Sequence, residues 1–172
     1  MSPPPSNYDS VDTRALRMAL GEYATGIAVV TTAGLSADAA PVGLTVNSFA
    51  SVSLDPPLVL WSLSVNSPSL AAFQAASHFA VNVLAANQKD FSQRFAQNGT
   101  DKFAGLAWKV GAGGTALLDG CNAWFECRTE AQHPGGDHII FIGRVERFER
   151  REALLPPLLY HRSSYAEVSS AG

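Results

Sequence analysis

Short apolar segments separated by turn residues dominate the chain, and this pattern predicts mostly strands. The clearest is "GIAVVTT" at 26–32, which is short and β-branched. We expect it to pair, in antiparallel fashion, with "VGLTVNSFASVS" at 42–53, which we interpret as one strand that the following proline doublet ends at Leu54. Further strands are predicted at 58–64, 79–84, 106–110, 123–130 and 138–149. The Gly-Gly-Asp turn before His138 predicts that the last two strands form an antiparallel pair.

Three other segments carry apolar residues at helical spacing. The first follows Asp12 or Thr13, either of which can cap it. The second is expected to begin at Ser67 as cap, with Pro68 in its first position. The third is expected to begin at Asn87 as cap and to end at the Asn-Gly pair of 98–99. The segment 154–168 is interpreted as irregular.

The predicted strands outnumber the predicted helices, which favours a mainly β fold. Many of the strands are short and have turn signals between them. We therefore predict a mainly β domain with added helices, in which an antiparallel sheet forms a closed or partly closed barrel.

Composition limits the classes of function. With 172 residues and 47% hydrophobic content, the chain suits one domain with its own core. We assign 13–168 to that domain, 1–12 to a disordered, proline-rich tail without signal-peptide features, and 169–172 to a second tail. Two cysteines build neither a disulfide framework nor a zinc site, so no metal is expected and the cytoplasm is favoured. The mild net charge of -3 predicts no nucleic-acid partner, and no segment is apolar enough to predict a membrane helix.

Familiar catalytic motifs do not explain the chain. Gly111, Gly113 and Ala116 match a loose dinucleotide-binding pattern, but too few residues follow before Gly120 for the helix that must hold a pyrophosphate. We interpret that stretch as a surface loop. The sequence also contains no P-loop, HExxH or GxSxG motif, which argues against a hydrolase.

Hydroxyl and amide groups are unusually dense in three segments. The first two are 45–53 and 62–67, and the third holds Ser92 and Arg94 on the third predicted helix. Half-exposed strand faces tolerate Thr and Ser, so a structural explanation of the first segment stays open. Together the three supply neutral donors and one guanidinium near two helix starts, which is the chemistry that holds a phosphorylated, planar, polar ligand.

Six blocks of the sequence resemble one known family. They are "YATGIAVVTT", "GLTVNSFASVSLDPPLVL", "FAVNVL", "FSQRFA", "GDHIIFIGRVE" and "PLLYHRSSY", in that order, and they cover most of the chain. The chain is similar to the flavin reductases with an FMN-binding split β-barrel, the small reductase components of two-component flavin monooxygenases. The resemblance implies a homodimer, a flavin (FMN or FAD) in a groove near the dimer interface, reduction by NADH or NADPH, and delivery of reduced flavin to a separate oxygenase.

The resemblance also implies roles for individual residues. On the flavin it would place Thr45, Asn47, Ser48, Ser62, Ser64, Ser67, Ser92 and Arg94. On the nicotinamide side it would place His138, as the catalytic group, together with Tyr160, His161 and Arg162. The family commonly has glycine where this chain has Ser163. In the family that glycine lies in the backbone turn that approaches the pyridine nucleotide, so the shape of this turn is where the chain departs from the family.

Other readings remain open beside that one. By its position alone, His138 could equally be a capped residue at the mouth of a buried strand. The same fold could also hold flavin as an electron carrier without nicotinamide turnover, or serve as an oxidase of a phosphorylated vitamin, which would want more basic residues at the phosphate. The three tryptophans are expected in packing roles, and the arginines and glutamates of 144–152 on a solvated, salt-bridged face.

Overall fold

The computed structural model describes residues 11–36, 38–99, 101–153 and 155–168, so the predicted tails lie almost wholly outside the described residues. The helices are α1 (Thr13–Gly21), α2 (Leu70–Ala75) and α3 (Lys89–Ala96). The strands are β1 (Thr25–Gly26), β2 (Ala28–Thr32), β3 (Val42–Val46), β4 (Ala50–Leu54), β5 (Pro57–Ser64), β6 (His78–Val83), β7 (Trp108–Val110), β8 (Ala116–Leu118), β9 (Ala123–Gly135), β10 (His138–Arg150), β11 (Leu159–His161) and β12 (Ser164–Ala166).

One seven-stranded antiparallel sheet forms the body of the protein, which confirms the mainly β prediction. Its strand order is β3-β2-β6-β9-β10-β5-β4. Two small sheets, β1-β11-β12 and β7-β8, lie beside it. The predicted hairpin is β9-β10, whose two-residue turn begins at Gly136 with a φ of 69°. Glycine reaches such a positive φ without strain, and that is what a primed hairpin turn requires.

Two hydrophobic clusters use opposite faces of the sheet. The alternation in β2 sends Val30 into one cluster and Val29 into the other, and both are fully buried. The first cluster centres on Trp61, stacked on Phe141 with ring centroids 4.7 Å apart. The second centres on Phe95 of α3, and Trp108 and Trp124 pack against it from its edge. The prediction that the tryptophans pack in the interior is therefore confirmed.

The interpretation of 42–53 as one strand is wrong. Residues 42–46 form β3, which pairs with β2 as predicted, but 50–54 form β4, which pairs with β5 at the opposite edge of the sheet. The chain crosses between these edges at 47–49. Ser48 makes the crossing possible, because its hydroxyl donates to the Ser62 carbonyl (3.3 Å) and accepts from the Ser62 N–H (3.0 Å). That side chain satisfies backbone groups that a continued strand would have paired.

Two predicted helix starts are also wrong by a few residues. Helix α2 begins at Leu70, because the Ser67 hydroxyl accepts from the Ser69 N–H (3.2 Å) in a tight turn instead of capping a helix. Helix α3 begins at Lys89, preceded by a 3-10 turn at Ala86–Gln88 in which the Gln88 side chain accepts from the Ala85 N–H (3.0 Å). The first helix is capped by Asp12, as predicted.

The irregular reading of 154–168 is wrong as well, because β11 and β12 form a hairpin there. The stretch containing Gly111 and Gly113 is a loop with one 3-10 turn between β7 and β8, so its interpretation as a loop is confirmed. In the described ranges, no helix is long and apolar enough to cross a bilayer.

Candidate functional site

A cavity of about 270 Å³ opens between β3 and α3. Its lining comprises Ile27, Thr45, Val46, Asn47, Ser92, Ala96, Tyr160 and Tyr165. We call it the β3-α3 cavity. It brings Thr45, Asn47 and Ser92, three of the predicted flavin-binding residues, to one place together with two tyrosines.

A second cavity, of about 280 Å³, opens between α1 and the β11-β12 hairpin. Its lining comprises Arg17, Leu20, Gly21, Tyr23, Thr25, Asn47, Tyr160, His161, Arg162 and Ser163. We call it the α1-hairpin cavity. Because Asn47 and Tyr160 line both cavities, the two are neighbours in one groove, which runs past the point where the chain crosses from β3 to β4. Tyr160, His161 and Arg162, all predicted on the nicotinamide side, are thus adjacent to the predicted flavin residues.

Hydrogen bonds hold the walls of the β3-α3 cavity together. The Thr45 hydroxyl donates to the Ser92 carbonyl (2.6 Å), which ties β3 to α3. The Ser92 and Tyr165 hydroxyls share a hydrogen bond of 2.9 Å, which ties α3 to the C-terminal hairpin. The Lys89 ammonium lies 5.1 Å from the centre of the Tyr165 ring, within the range of a cation-π contact. Three separate elements are therefore fixed around one opening.

Thr25 carries an unsatisfied polar atom at the edge of the groove. Its hydroxyl oxygen is buried and has no hydrogen-bond partner among the described residues. Thr25 also lines the α1-hairpin cavity, and β1 pairs it with Tyr160. A buried hydroxyl without a partner is costly, so an orphan beside a cavity fits a site that a polar ligand completes.

The β11-β12 hairpin has a strained turn that is clamped to α1. Arg162 and Ser163 have φ values of 49° and 60°, the left-handed pair of a type I′ turn. The Arg162 N–H donates to the Gly21 carbonyl (2.9 Å). The Arg162 side chain donates from Nε and Nη2 to both carboxylate oxygens of Glu22, at 2.7 to 3.0 Å. This hydrogen bonding lowers the pKa of Glu22, which keeps its carboxylate ionised at neutral pH.

His138 lies in a second cluster of predicted residues. It begins β10, where it pairs across the ladder with Ser64. Two residues earlier on β5, the backbone N–H of Ser62 donates to the Ser48 hydroxyl and its carbonyl accepts from it. His138 Nδ1 lies 2.7 Å from Asp137 Oδ1, and this hydrogen bond lowers the pKa of Asp137. His138 does not line either cavity of the groove within one chain. The cluster adjoins the groove through the 47–48 segment.

Ser67 and Arg94 lie apart from the rest of the predicted set. Ser67 is engaged in its turn with Ser69. Arg94 is exposed and donates from Nη1 to the Ala104 carbonyl (2.8 Å). Neither residue lines the groove in one chain, so their assignment to the flavin stays a prediction.

The predicted site lacked Tyr165 and Thr25, which line the groove, and Glu22, which binds Arg162 beside it. Tyr165 belongs to the polar, aromatic end of the chain, and its spacing from Tyr160 across a two-residue turn is the signal that pairs them. Thr25 lies inside one of the family-like blocks, where its place beside a glycine gave no hint of a ligand. Glu22 has no local signal, because its partner Arg162 lies 140 residues further along the chain.

The described part of the chain offers neither a thiolate nucleophile nor a cluster of metal ligands. Burial raises the pKa of Cys121 and of Cys127 to about 12, so neither supplies a thiolate nucleophile at neutral pH. Among the described residues, no group of three His, Cys, Asp or Glu side chains is placed to hold a metal ion. The groove instead offers hydroxyls, an amide, tyrosines and cations, which is a donor set for a planar, phosphorylated ligand.

The fold and groove together define a mainly β protein with a polar, tyrosine-lined groove beside its edge strand β3, a site suited to a planar, polar ligand. The chain belongs to the flavin reductase like domain family, whose profile matches residues 20–169.

Individual relatives agree with that assignment. The chain is 46% identical over 161 residues to the reductase component of a flavin-dependent trigonelline monooxygenase of Acinetobacter baylyi, covering 93% of this chain and 51% of that protein. It thus spans about half the length of this relative. It is 44% identical over 158 residues to an FMN reductase (NADH) of Agrobacterium fabrum, covering 92% of this chain and 87% of that one. Among solved structures, an NADH:FAD oxidoreductase of Streptomyces globisporus superposes with a TM-score of 0.86 at 34% identity, covering 100% of this chain and 96% of that one.

Proposed function

We propose that this protein is an NAD(P)H-dependent flavin reductase, which reduces FMN or FAD by hydride transfer from NADH or NADPH. The observation that carries the proposal is the groove in which the β3-α3 cavity and the α1-hairpin cavity meet at Asn47 and Tyr160. Hydride transfer requires two planar rings in contact, and two adjoining cavities with different donor sets meet that requirement. Relatives named as FMN reductase (NADH) and NADH:FAD oxidoreductase support it.

In this proposal the residues of the groove bind the flavin and the nicotinamide and orient the two rings. Thr45, Asn47 and Ser92 hold the flavin in the β3-α3 cavity. The orphaned hydroxyl of Thr25 belongs to the neighbouring α1-hairpin cavity. Tyr160 lies where the two cavities meet and, with His161, bounds the nicotinamide side. Flavin and nicotinamide supply the redox chemistry themselves when bound, so the protein needs no strong acid or base and contributes chiefly geometry.

His138 has a positioning role in this scheme, held in one orientation by Asp137 (2.7 Å). His138→Ala is expected to slow hydride transfer or weaken nicotinamide binding and to leave flavin affinity nearly unchanged. An equal loss of flavin binding would contradict this assignment.

The direct test is oxidation of NADH or NADPH by the purified protein with added FMN or FAD, followed by the loss of the reduced-nicotinamide absorbance. Turnover with at least one pair is expected. If none of the four pairs reacts, the reductase proposal is wrong. A protein that keeps its flavin through dialysis and accepts electrons only from a protein partner would instead be an electron carrier.

A homodimer belongs to the proposal, because the chain leaves apolar surface that one copy does not cover. No residue of α1 is buried, and Leu20 and Tyr23 are 66% and 79% exposed. Edge strand β4 leaves Leu54 92% exposed. A nine-residue helix without buried contacts is marginal alone, so a second copy that covers it would stabilise it. Light scattering should give twice the chain mass, and a single-chain mass at micromolar concentration would refute dimerisation.

A separate oxygenase that receives the reduced flavin is the proposed partner. Relatives named as reductase components or subunits of flavin-dependent monooxygenases support it. The partner is testable by adding the purified protein, NADH and flavin to candidate oxygenases and measuring product. Product that forms equally well with chemically reduced flavin alone would show that delivery needs no direct contact.

A cytoplasmic location is also proposed for this protein, in keeping with its two buried, free cysteines.

A further inference from the structure

The Glu22–Arg162 ion pair lies beside the α1-hairpin cavity, which its arginine lines. Arg162 lines that cavity together with Arg17 and His161. Glu22 caps the end of α1 and engages Nε and Nη2 of Arg162 through three hydrogen bonds of 2.7 to 3.0 Å. The Nε–Nη2 edge of the guanidinium, one of the edges that can bind a phosphate with two hydrogen bonds, is therefore already filled by a carboxylate of the same chain.

This pairing has a consequence for anions that enter the cavity. A free guanidinium there would attract a dianionic phosphate. With Glu22 in place, a phosphate that uses the Nε–Nη2 edge must displace a bidentate carboxylate, and a phosphate at any edge approaches its negative charge. Specificity commonly arises from such a repulsive element set against one of two similar ligands. The two nicotinamide dinucleotides differ by one phosphate, the 2′-phosphate on the adenosine ribose of NADPH.

We propose that Glu22 is a specificity-determining residue, which holds Arg162 as a neutral pair so that the α1-hairpin cavity accepts NADH and disfavours the 2′-phosphate of NADPH. This inference rests on the proposed reductase function, with the nicotinamide at Tyr160 and the adenosine ribose of a folded dinucleotide beside Arg162 in the same cavity. Glu22 touches neither ring in this scheme and acts through Arg162. The clamp also explains how a hairpin with two left-handed residues stays attached to α1, but a purely structural clamp would not discriminate between the nucleotides.

The test is a comparison of kcat/KM for NADH and for NADPH, with saturating flavin, in the wild-type protein and in Glu22→Gln. The wild type is expected to prefer NADH. The glutamine weakens the hold on Arg162 and removes the negative charge, so the NADPH to NADH ratio should rise about two- to fivefold, the scale of one exposed charge contact. The gain should shrink at high salt, because exposed charges are screened there.

Two further variants separate discrimination from stability. Glu130→Gln is the matched control, because Glu130 forms a comparable two-bond pair with Arg144 (3.1 and 2.8 Å) that lines neither cavity. It should leave the nucleotide ratio unchanged. Adding Arg162→Met to Glu22→Gln should abolish the gain for NADPH, because the released guanidinium is what binds the phosphate.

The outcomes distinguish the two proposals. An active Glu22→Gln protein whose nucleotide ratio equals that of the wild type overturns this inference and leaves the reductase function standing. A wild type that prefers NADPH overturns it in the same way. Absence of turnover with every flavin and nucleotide overturns the reductase function, and this inference with it. Binding of adenosine 2′,5′-bisphosphate, measured by calorimetry, gives an independent readout: it should tighten in Glu22→Gln and not in Glu130→Gln.

Discussion

Removing the Thr45 hydroxyl tests the flavin side of the groove most directly. Valine has nearly the shape of threonine, so Thr45→Val removes the 2.6 Å hydrogen bond to the Ser92 carbonyl and little else. Such a bond is worth about 1 kcal/mol net, and the carbonyl keeps its place in the helix. For a chain of this size that loss lowers the unfolding temperature by about 2–4 °C.

The effect on flavin affinity should be of the same order. The hydroxyl holds Ser92 in the wall of the cavity and itself lines that cavity. A loss of about 1 kcal/mol corresponds to a dissociation constant about fivefold higher. We expect this change for FMN or FAD in isothermal titration calorimetry, whereas Thr45→Ser, which keeps the hydroxyl, should stay near the wild type.

A buried threonine elsewhere provides the control. Thr31 on β2 donates to the Ala116 carbonyl (2.7 Å) and accepts from the Ala116 N–H (3.2 Å), and it lines neither cavity of the groove. Thr31→Val should therefore reduce stability at least as much as Thr45→Val without changing flavin affinity. If the two valine variants lose flavin affinity equally, or if neither does, Thr45 does not belong to the flavin site.

Three further outcomes follow from local geometry. Ser163→Gly should raise the free energy of unfolding by about 1 kcal/mol, because glycine adopts the φ of 60° without strain, and a denaturant titration that shows a decrease would contradict this. Gly143→Ala should cost at least 1–3 kcal/mol, since its Cβ would fall on the buried ring of Phe79, and unchanged thermal stability would refute that packing. Burial opposes ionisation of Glu126, but hydrogen bonds from Arg147 and the Ala112 N–H lower its pKa overall. The ionised carboxylate therefore stabilises the fold above the ordinary glutamate pKa, and this stabilisation is lost as pH falls through the lowered pKa. Glu126→Gln should flatten the acid side of a plot of unfolding free energy against pH.

Much of the sheet could be predicted from the sequence because its signals are local. The Gly-Gly-Asp turn at 135–137 predicts the β9-β10 hairpin, and the β-branched segment 26–32 predicts β2 and its pairing with β3. The break at 47–49 could not be predicted in that way. It depends on Ser48 bonding to the backbone of Ser62, a contact between strands whose relative position the sequence does not contain.

The groove was only partly predictable for a similar reason. The six family-like blocks identified Thr45, Asn47, Ser92 and the 160–162 segment, and the structure brings all of these together. The hairpin that carries Tyr160 escaped notice because its strands are three residues long and its turn contains no glycine. On the predicted salt-bridged face, Arg144 pairs with Glu130 and Arg147 with Glu126, both acids on neighbouring β9 and not along β10, because cross-strand neighbours are closer than neighbours along one strand.

The division of the three tryptophans between the two hydrophobic clusters gives this protein two sets of optical probes. Trp61 is sealed in the first cluster against Phe141, whereas Trp108 and Trp124 border the second, into which Tyr160 and Tyr165 also pack. A variant that keeps only Trp61 would report by its emission on the interior of the sheet, and one that keeps the other two would report on the layer beside the groove. Comparing their melting curves would show whether the two layers unfold together or whether the ligand-binding layer loosens first.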